Sequence, residues 1–530
     1  MKLEGNVNLF KGRTIAVVND LTIDEQIYLY EQTRLLKDAV INGKDLSRFK
    51  LEDPEYGVYL FFMEDSTRTK ESFRNAAKFH NLKVNDFQAQ TSSFNKKESI
   101  TDTVKMLFGY SPKSLFIIRS KLEGVCRWLE DAISTYSEKI GYPRAAFINA
   151  GDGKHEHPTQ EFLDEFSFLE QKNWDRDHIH VALVGDLFHG RTVHSKADGL
   201  GVFNNVYVDL IAPPELAMPD YYIQKMRRNN FNVRIFYSIE EYLSQKDVAE
   251  IWYFTRLQLE RMGDEILEKA EQLRDAVTFK QDDIERVSKN TRFYHPLPRH
   301  REYPTIPSFL DSTFLNGWDL QSINGYYTRI MEIALLTGKI GDDFSGERGQ
   351  TEDYSDDFVE EAPIVLKEVP EYKVGIKPVE EGIVIDHIAK GQPIKKIWRH
   401  VDKIRRILDL NYLSSHGVYQ SNKKGLYKGI ISLPNILDFD EKQIKMLGAI
   451  SPGCTINKIK EHRVLEKYRL HMPPRVYNFK EISCKNENCV SRAENSENIL
   501  PEFLRSGNSS FVCKYCEREH SYKEIWDIPH

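Results

Sequence analysis

The feature that most constrains the fold of this chain is an alternation of short apolar runs and amphipathic stretches between residues 12 and 340. The stretches have the helical period, as in TQEFLDEFSFLEQ, and the alternation predicts parallel sheets covered by helices. Because about 330 residues exceed one such sheet, we expect two α/β domains, 1–150 and 151–340, the second ending in a closing helix. The apolar runs are VYLFF (58–62), SLFII (114–118), HVALVG (180–185), VYVDLIA (206–212) and AEIWYF (249–254).

The character of the chain changes after residue 340. Residues 341–371 are rich in acids and poor in apolar side chains, which predicts a solvated, mobile linker. Residues 372–470 mix strand patterns, such as EGIVIDHI, with helical stretches, which indicates a smaller α+β domain. Residues 471–530 form a fourth unit that holds four of the six cysteines.

Composition excludes some classes of protein. No apolar run approaches the roughly 20 residues of a membrane span, and MKLEGNVNLFKGR lacks the apolar core of a signal peptide. The net charge of −7 gives no reason to expect nucleic acid as the main partner. We therefore expect a cytoplasmic protein without a membrane or nucleic-acid partner.

The clustered cysteines predict a metal site. Cys484-x4-Cys489 is followed, after 23 residues, by Cys513-x2-Cys516. Two close pairs can place four thiolates at the corners of a tetrahedron, the arrangement of structural zinc. About 60 residues cannot readily bury a sufficient core unaided. We expect one structural zinc per chain, and no catalysis there because protein fills all four ligand positions.

The stretch DSTRTK (65–70) predicts an anion site. It follows the apolar run VYLFF and precedes the helical pattern ESFRNAAKF, so backbone N–H groups of a helix start lie beside hydroxyls and a guanidinium. It lacks the GxxxxGK[ST] pattern of a P-loop. Other polar residues also follow apolar runs or begin helices, namely Arg119, His157, Gln160, Arg191, Arg256 and Gln258. Because ligands of α/β sheets bind beyond the carboxyl ends of strands, we expect one pocket for a ligand with several negative groups.

Three motifs carry a resemblance to a known family: Ser66-Thr67-Arg68-Thr69, His157-Pro158-Thr159-Gln160 and His295-Pro296-Leu297-Pro298-Arg299. With TRLQ (255–258), they resemble the aspartate carbamoyltransferases, across about residues 1–340. The ornithine enzymes would instead have a cysteine in the HxLP turn. Downstream, GIVIDHI, GLYKG, TINKI and the four cysteines are similar to the family's regulatory chain, here fused behind the catalytic chain. The resemblance implies the transcarbamoylase fold and the transfer of a carbamoyl group from carbamoyl phosphate to L-aspartate.

The resemblance also implies residue roles. Arg68, Thr69, Arg119 and His157 would be catalytic, with the last three directed at the carbamoyl oxygen. Arg191, Arg256, Gln258 and Lys96 would bind aspartate. The carbamoyl-phosphate site would comprise Ser66, Thr67, Arg68, Thr69, Ser92, Lys96, Arg119, His157, Gln160, Leu297 and Pro298, with a cis Leu297–Pro298 bond.

Two expectations concern assembly and regulation. The loop with Ser92 and Lys96 resembles the family loop that reaches a neighbouring subunit, which implies a homo-oligomer of at least three chains with shared sites. A CTP or ATP effector site is implied by positions that match the regulatory chain, namely Asp386, His387, Lys428, Asn457 and Lys467.

Three alternatives remain at this point. The chain could be a non-catalytic scaffold, a transcarbamoylase for another amino acid, or a zinc-ribbon nucleic-acid binder. The first is disfavoured because each aligned catalytic position holds the expected residue type. The last is disfavoured because the cysteine-rich region has no stripe of aromatic and basic residues.

Overall fold

A computed structural model of the chain describes residues 8–88, 99–259, 269–347, 358–364, 379–410, 414–421, 425–495, 497, 499–507 and 509–527. The chain divides into two compact units, 1–350 and 351–530.

The first unit contains two five-stranded parallel sheets. In chain order the first sheet has β1 (Thr14–Ile15), β2 (Tyr56–Phe62), β3 (Lys83–Gln88), β4 (Lys113–Ser120) and β5 (Ala146–Asp152), arranged β1-β5-β4-β2-β3. The second has β6 (His178–Val184), β7 (Asn205–Ile211), β8 (Asn232–Phe236), β9 (Ile251–Phe254) and β10 (Arg292–Tyr294), arranged β10-β9-β6-β7-β8. Every apolar run singled out in the sequence overlaps one of these strands, so the predicted parallel α/β class is confirmed.

Helices cover both sheets because their apolar faces complement the buried strands. The α-helices among the described residues of this unit are α1 (Ile23–Ile41), α2 (Thr67–Phe79), α3 (Ile100–Gly109), α4 (Val125–Ile140), α5 (Pro158–Gln171), α6 (Arg191–His194), α7 (Lys196–Gly199), α8 (Asp220–Arg228), α9 (Ile239–Leu243), α10 (Ala270–Val277) and α11 (Trp318–Thr337). Helices α5 and α11 are buried along almost their whole length. Helix α11 packs against α1, α2 and α5, as expected for a closing helix.

The second unit contains a six-stranded sheet with the order β11-β16-β15-β12-β14-β13. Its strands are β11 (Val359–Glu361), β12 (Gly382–Ile388), β13 (Ser415–Gln420), β14 (Tyr427–Pro434), β15 (Thr455–Lys460) and β16 (Arg463–Leu470), all antiparallel to their neighbours. Helix α12 (Ile394–Ile407) packs on this sheet, and α13 (Glu441–Ile450) packs against β16. The predicted α+β character is confirmed.

The cysteine-rich region forms a four-stranded antiparallel sheet. Its strands are β17 (Arg475–Tyr477), β18 (Glu502–Arg505), β19 (Ser510–Cys513) and β20 (Glu519–Ser521). No helix of the described residues combines the length and the apolar character needed to cross a membrane.

Two local features differ from the sequence prediction. Helix α2 begins at Thr67, four residues before the predicted helical pattern. The residue before it, Ser66, is extended and is the N-cap. Part of the predicted linker is also ordered: β11 pairs with β16, and Phe344 packs edge-on against Phe10 and Tyr28. A segment with few apolar residues can therefore be ordered when neighbouring elements provide a strand to pair with or aromatic rings to pack against.

Candidate active site, metal centre and regulatory face

One open cleft of about 230 Å³ in the first unit brings most of the predicted site residues together. Of the predicted residues, it is lined by Ser66, Arg68, Thr69, Arg119, His157, Gln160, Arg191, Arg256, Gln258, Leu297 and Pro298. Thr67 is exposed and does not line the cleft. Ser92 and Lys96 lie outside the described residues. The Leu297–Pro298 bond is cis, as predicted.

The anion end of the cleft is a helix start. Thr67, Arg68 and Thr69 form the first turn of α2, where backbone N–H groups lack partners within the helix. The Ser66 side chain makes no capping bond to these groups, so they remain for a ligand. Burial lowers the pKa of the Arg68 guanidinium, yet it stays charged at neutral pH. The first turn therefore suits a phosphate.

Glu64 connects two of the cationic side chains. One of its carboxylate oxygens lies 3.3 Å from Arg119 Nε and 3.2 Å from an Arg191 terminal nitrogen. Arg119 also donates to the Ala150 carbonyl at 3.0 Å, and Arg191 to the Gly153 carbonyl at 3.0 Å. Burial, together with the charge of Arg191, lowers the pKa of Arg119 to about 9, a cost that an anionic ligand would relieve. The sequence reasoning missed Glu64, although it lies two residues before the STRT motif.

His157 is held as a neutral imidazole. Burial, then Arg119 and Arg191, lower the pKa of His157 well below its ordinary value. The Thr159 hydroxyl lies 3.3 Å from Nδ1, and if it donates there the remaining ring N–H is a donor for a ligand. A neutral histidine among arginines is suited to donate a hydrogen bond to an oxygen that gains negative charge.

Gly151 explains how these groups fit. It has φ +111°, and a Cβ at this position would lie 2.9 Å from Arg119 Nη1 and 3.3 Å from both Arg191 and His157. Only glycine lets the end of β5 pass beside these side chains without displacing them. His189 and Arg329 also line the cleft and were missed. Arg329 lies in the GYYTRIMEI pattern of the closing helix, so the pattern alone indicated packing.

Comparison with known proteins agrees with this geometry. Family models match residues 13–170 (aspartate/ornithine carbamoyltransferase, carbamoyl-P binding domain), 374–471 (aspartate carbamoyltransferase regulatory chain, allosteric domain) and 474–526 (the metal binding domain of that chain). The chain is 54% identical to Protein PyrBI of Thermotoga maritima, over 98% of this chain and 99% of that protein. It is 51% identical to Protein PyrBI of Treponema denticola, with the same coverage.

The chain belongs to the PyrBI family, in which catalytic and regulatory aspartate carbamoyltransferase chains are fused. The first unit also resembles solved structures. Aspartate transcarbamoylase from Trypanosoma cruzi, in complex with N-(phosphonacetyl)-L-aspartic acid, covers 62% of this chain and 97% of its own, with a TM-score of 0.53 and 26% identity.

The metal centre predicted for this PyrBI chain is formed by four buried thiols. All four Sγ atoms lie within 4.8 Å of one another. The Cys484–Cys516 and Cys489–Cys513 Sγ distances are 3.6 and 3.8 Å, too long for disulfides and close to the roughly 3.8 Å edge of a zinc–thiolate tetrahedron. His520, which the sequence reasoning missed, brings Nε2 within 3.4 Å of Cys484 Sγ. The residues fit a metal ion held by four sulfurs.

The predicted effector residues lie on one face of the six-stranded sheet. Lys428 Nζ lies 2.7 Å from the Asp386 carboxylate, and His387 Nδ1 lies 3.2 Å from the Thr455 hydroxyl. Asn457 is directly opposite Lys467 in the ladder. Their face is the one opposite Gly429, whose missing Cβ faces Ile397 and Val401 of α12. The sheet therefore brings together the groups that separate sequence motifs contributed.

Proposed function

We propose that this chain transfers the carbamoyl group of carbamoyl phosphate to the amine of L-aspartate, an early step of pyrimidine synthesis. The observation that carries the proposal is the convergence of four arginines, Arg68, Arg119, Arg191 and Arg256, with His157 in one cleft. Carbamoyl phosphate and aspartate are both anions, and a site that holds them side by side needs this density of fixed positive charge.

In the proposed reaction the aspartate amine attacks the carbamoyl carbon, and the bond from that carbon to the bridging phosphate oxygen breaks. Ser66, Thr67, Arg68 and Thr69 hold the phosphate, with Ser92 and Lys96 completing the site. Arg68 stabilises the charge that develops on the leaving group, and the departing phosphate accepts the amine proton. No covalent intermediate with the protein forms.

The carbonyl oxygen becomes negative as the amine attacks. Thr69, Arg119 and His157 donate to it, and His157 suits this role because burial keeps it neutral. Gln160 and the Leu297 carbonyl, at the cis Leu297–Pro298 bond, accept from the carbamoyl amino group. Arg191, Arg256, Gln258 and Lys96 bind the two aspartate carboxylates.

The direct test is an assay for N-carbamoyl-aspartate with carbamoyl phosphate and L-aspartate as substrates. Formation of the product at an enzymatic rate supports the proposal. Turnover with a different amino acid, or no turnover by folded protein, would instead favour a related transcarbamoylase or a scaffold.

We further propose that the metal is zinc, because four thiolates without an open position are typical of structural zinc. We propose that Asp386, His387, Lys428, Asn457 and Lys467 bind CTP or ATP, since lysines suit a polyphosphate. Equilibrium dialysis with each nucleotide, comparing the wild type with Lys428→Ala, tests this site. We also propose a cytoplasmic homo-oligomer of at least three chains.

A further inference from the structure

A buried charged cluster lies directly behind the cleft. Lys196, on α7, is fully buried, and its Nζ lies 2.9 Å from Asp164 and 2.6 Å from Glu161, both on α5 and both fully buried. Its ammonium also lies 4.5 Å from the centre of the Tyr253 ring. Burying a lysine and carboxylates is costly unless each charge is matched, so the cluster requires a specific arrangement.

Asp164 connects this cluster to the cleft. Its Oδ2 accepts from Lys196, while its Oδ1 accepts from two side-chain amides: Gln160 Nε2 at 2.9 Å and Gln321 Nε2 at 2.6 Å. Three donors are therefore directed at the two oxygens of this one carboxylate. Lys196 is the cation of this cluster, and it is shared with Glu161 at 2.6 Å and Glu165 at 4.0 Å, both also fully buried.

These bonds fix how Gln160 presents its amide. Its NH2 group donates to Asp164, because the opposite orientation would bring two oxygens together. The Gln160 carbonyl oxygen is thereby left for the cleft, which Gln160 lines. A bound group that offers N–H donors is accepted there, whereas a methyl group would leave this oxygen unpaired.

The Asp164 carboxylate also orients the turn formed by the HPLP motif, residues 295–298. The Gln321 NH2 donates to Asp164, so its carbonyl oxygen accepts from the His295 backbone N–H at 2.9 Å. His295 Nδ1 then accepts from the Leu297 backbone N–H at 2.7 Å. Lys196 and Asp164 are thus connected to both groups that, under the proposed function, accept from the carbamoyl amino group.

We propose that the Lys196–Asp164 pair is a positioning device that sets specificity for an acyl phosphate bearing an amino group, by fixing Gln160 and the HPLP turn as acceptors. Neither residue lines the cleft. The inference rests on the proposed function, since it assumes that carbamoyl phosphate is the ligand. The proposal predicts that the Lys196–Asp164 pair makes the site prefer carbamoyl phosphate over acetyl phosphate. The two ligands differ only in that one has an NH2 group where the other has a CH3 group.

The test measures discrimination in Lys196→Met and Asp164→Asn. Each variant nearly preserves side-chain size, and binding of carbamoyl phosphate, acetyl phosphate and inorganic phosphate is measured by calorimetric titration of the full chain. We expect carbamoyl phosphate to bind at least about ten-fold more weakly, because a site built to hydrogen-bond loses its selectivity when an acceptor is misplaced. The affinities for acetyl phosphate and phosphate should change by less than about three-fold, since Ser66 and Arg68 are outside the network.

Lys37→Met is the matched control. Lys37, on α1, contacts Glu170 of α5 at 2.5 Å and Asn324 of α11 at 2.8 Å, so it also pairs with a carboxylate of α5, but neither of these partners is Gln160, Asp164 or Gln321. It should leave the preference for carbamoyl phosphate unchanged. Lys196→Arg, which keeps the cation, should retain most of the preference.

Equal weakening of all three ligands would overturn the inference, because it would indicate a structural role only. An unchanged preference in folded Lys196→Met and Asp164→Asn would also overturn it. If these variants do not fold, Gln321→Met breaks the hydrogen bonds from Asp164 to the HPLP turn without leaving a charge unpaired. We expect it to lose the preference for carbamoyl phosphate over acetyl phosphate in the same way. If the wild type binds carbamoyl phosphate but makes no carbamoyl-aspartate, the proposed function fails, while the binding comparison still decides this inference.

Discussion

At the scale of single residues, the cleft holds several positive charges close together, and two of them share one carboxylate. Glu64 lies within 3.3 Å of both Arg119 and Arg191. Among the described residues, Arg329 Nε and His295 Nε2 are buried without a hydrogen-bond partner, and Arg119 Nε has its 3.3 Å ion pair with Glu64 in place of one. Unpaired buried donors destabilise the empty protein, and a ligand that accepts from them recovers this free energy. Such a site suits anions because the fold has already oriented its donors.

The first prediction concerns Arg68. Arg68→Ala should reduce kcat/KM for carbamoyl phosphate. The reduction should correspond to about 4 kcal/mol of lost transition-state stabilisation, as expected when a contact to developing charge is removed. Steady-state kinetics measures the loss. Arg74→Ala is the control, because Arg74 lies on the same helix but pairs with Glu71 and Asp86 away from the cleft. A similar loss in both variants would contradict a specific role for Arg68.

The second prediction concerns Gly151. Gly151→Ala should reduce kcat/KM at least about 100-fold, because the new Cβ would displace Arg119 and strain a backbone at φ +111°. Gly141→Ala separates the two effects, since Gly141 has φ +73° but open space around it. That control should lower stability by about 1 kcal/mol and leave kcat/KM unchanged. Near-normal activity of Gly151→Ala would show that the side chains relax around it.

At the scale of elements, the smallest sheet depends on its metal centre. Strands β17–β20 contain few residues, and four buried thiols lie beside them. A module of this size gains much of its stability from the bound ion. Strand β18 lies between the two cysteine pairs and Cys513 is the last residue of β19, so the fold of the sheet and the geometry of the sulfurs are formed together.

The third prediction is the metal content. Purified protein should contain about one zinc per chain, and Cys516→Ser should lose it and unfold the 475–521 region. Mass spectrometry of the metal and hydrogen exchange of that region give the two readouts. Cys126→Ser, which removes a buried thiol in α4, should keep the zinc. Metal-free wild-type protein with this region protected from exchange would contradict the assignment.

At the scale of the whole molecule, the active site needs more than one chain if the loop that contains Ser92 and Lys96 acts in a neighbouring subunit. Mixing Lys96→Ala with Arg68→Ala chains should restore activity, because some sites in a mixed oligomer then receive both intact residues. Activity is measured after dissociation and reassembly, with oligomer size confirmed by light scattering. Verified mixed oligomers that stay inactive would argue against shared sites.

The fifth prediction concerns stability against pH. Burial, the largest effect at each residue, lowers the pKa of His80 and His194 to about 4 and of His295 to about 3. The unfolded chain, with histidine pKa near 6.5, then binds more protons between about pH 6.5 and 4. Stability should therefore be fully present above about pH 6.5 and fall on acidification, by about 2 kcal/mol per histidine between pH 7 and 5.

Urea unfolding of the full chain at pH 7 and pH 5 measures this dependence. His80→Gln keeps a donor for the Ile330 carbonyl, so it should reduce the difference by the share of one histidine. An identical pH dependence in the wild type and His80→Gln would contradict the assignment. His462→Gln, on an exposed turn, serves as control.

Much of the fold could be predicted because the spacing of apolar residues within a helix or strand can be read from a short stretch of sequence. Strands and helices follow from apolar spacing, and the STRT, HPTQ and HPLPR motifs are contiguous, so their residues could be identified one by one. Glu64, Gly151 and His189 were missed because their residue types do not by themselves indicate a role, even where they lie close to a motif in the sequence. Their importance comes from neighbours distant in the chain, such as Arg191 beside Glu64.

The sequence by itself determined the parallel α/β class, the fused regulatory region, the four metal-binding cysteines and the residue types of an anion site. The tertiary structure decided which of those residues meet in the cleft, that α2 begins at Thr67, and that Lys196 and Asp164 orient Gln160. The physical reason is that periodicity and spacing report which side of an element is buried. The partner of a buried charge is set only when separate elements pack against one another.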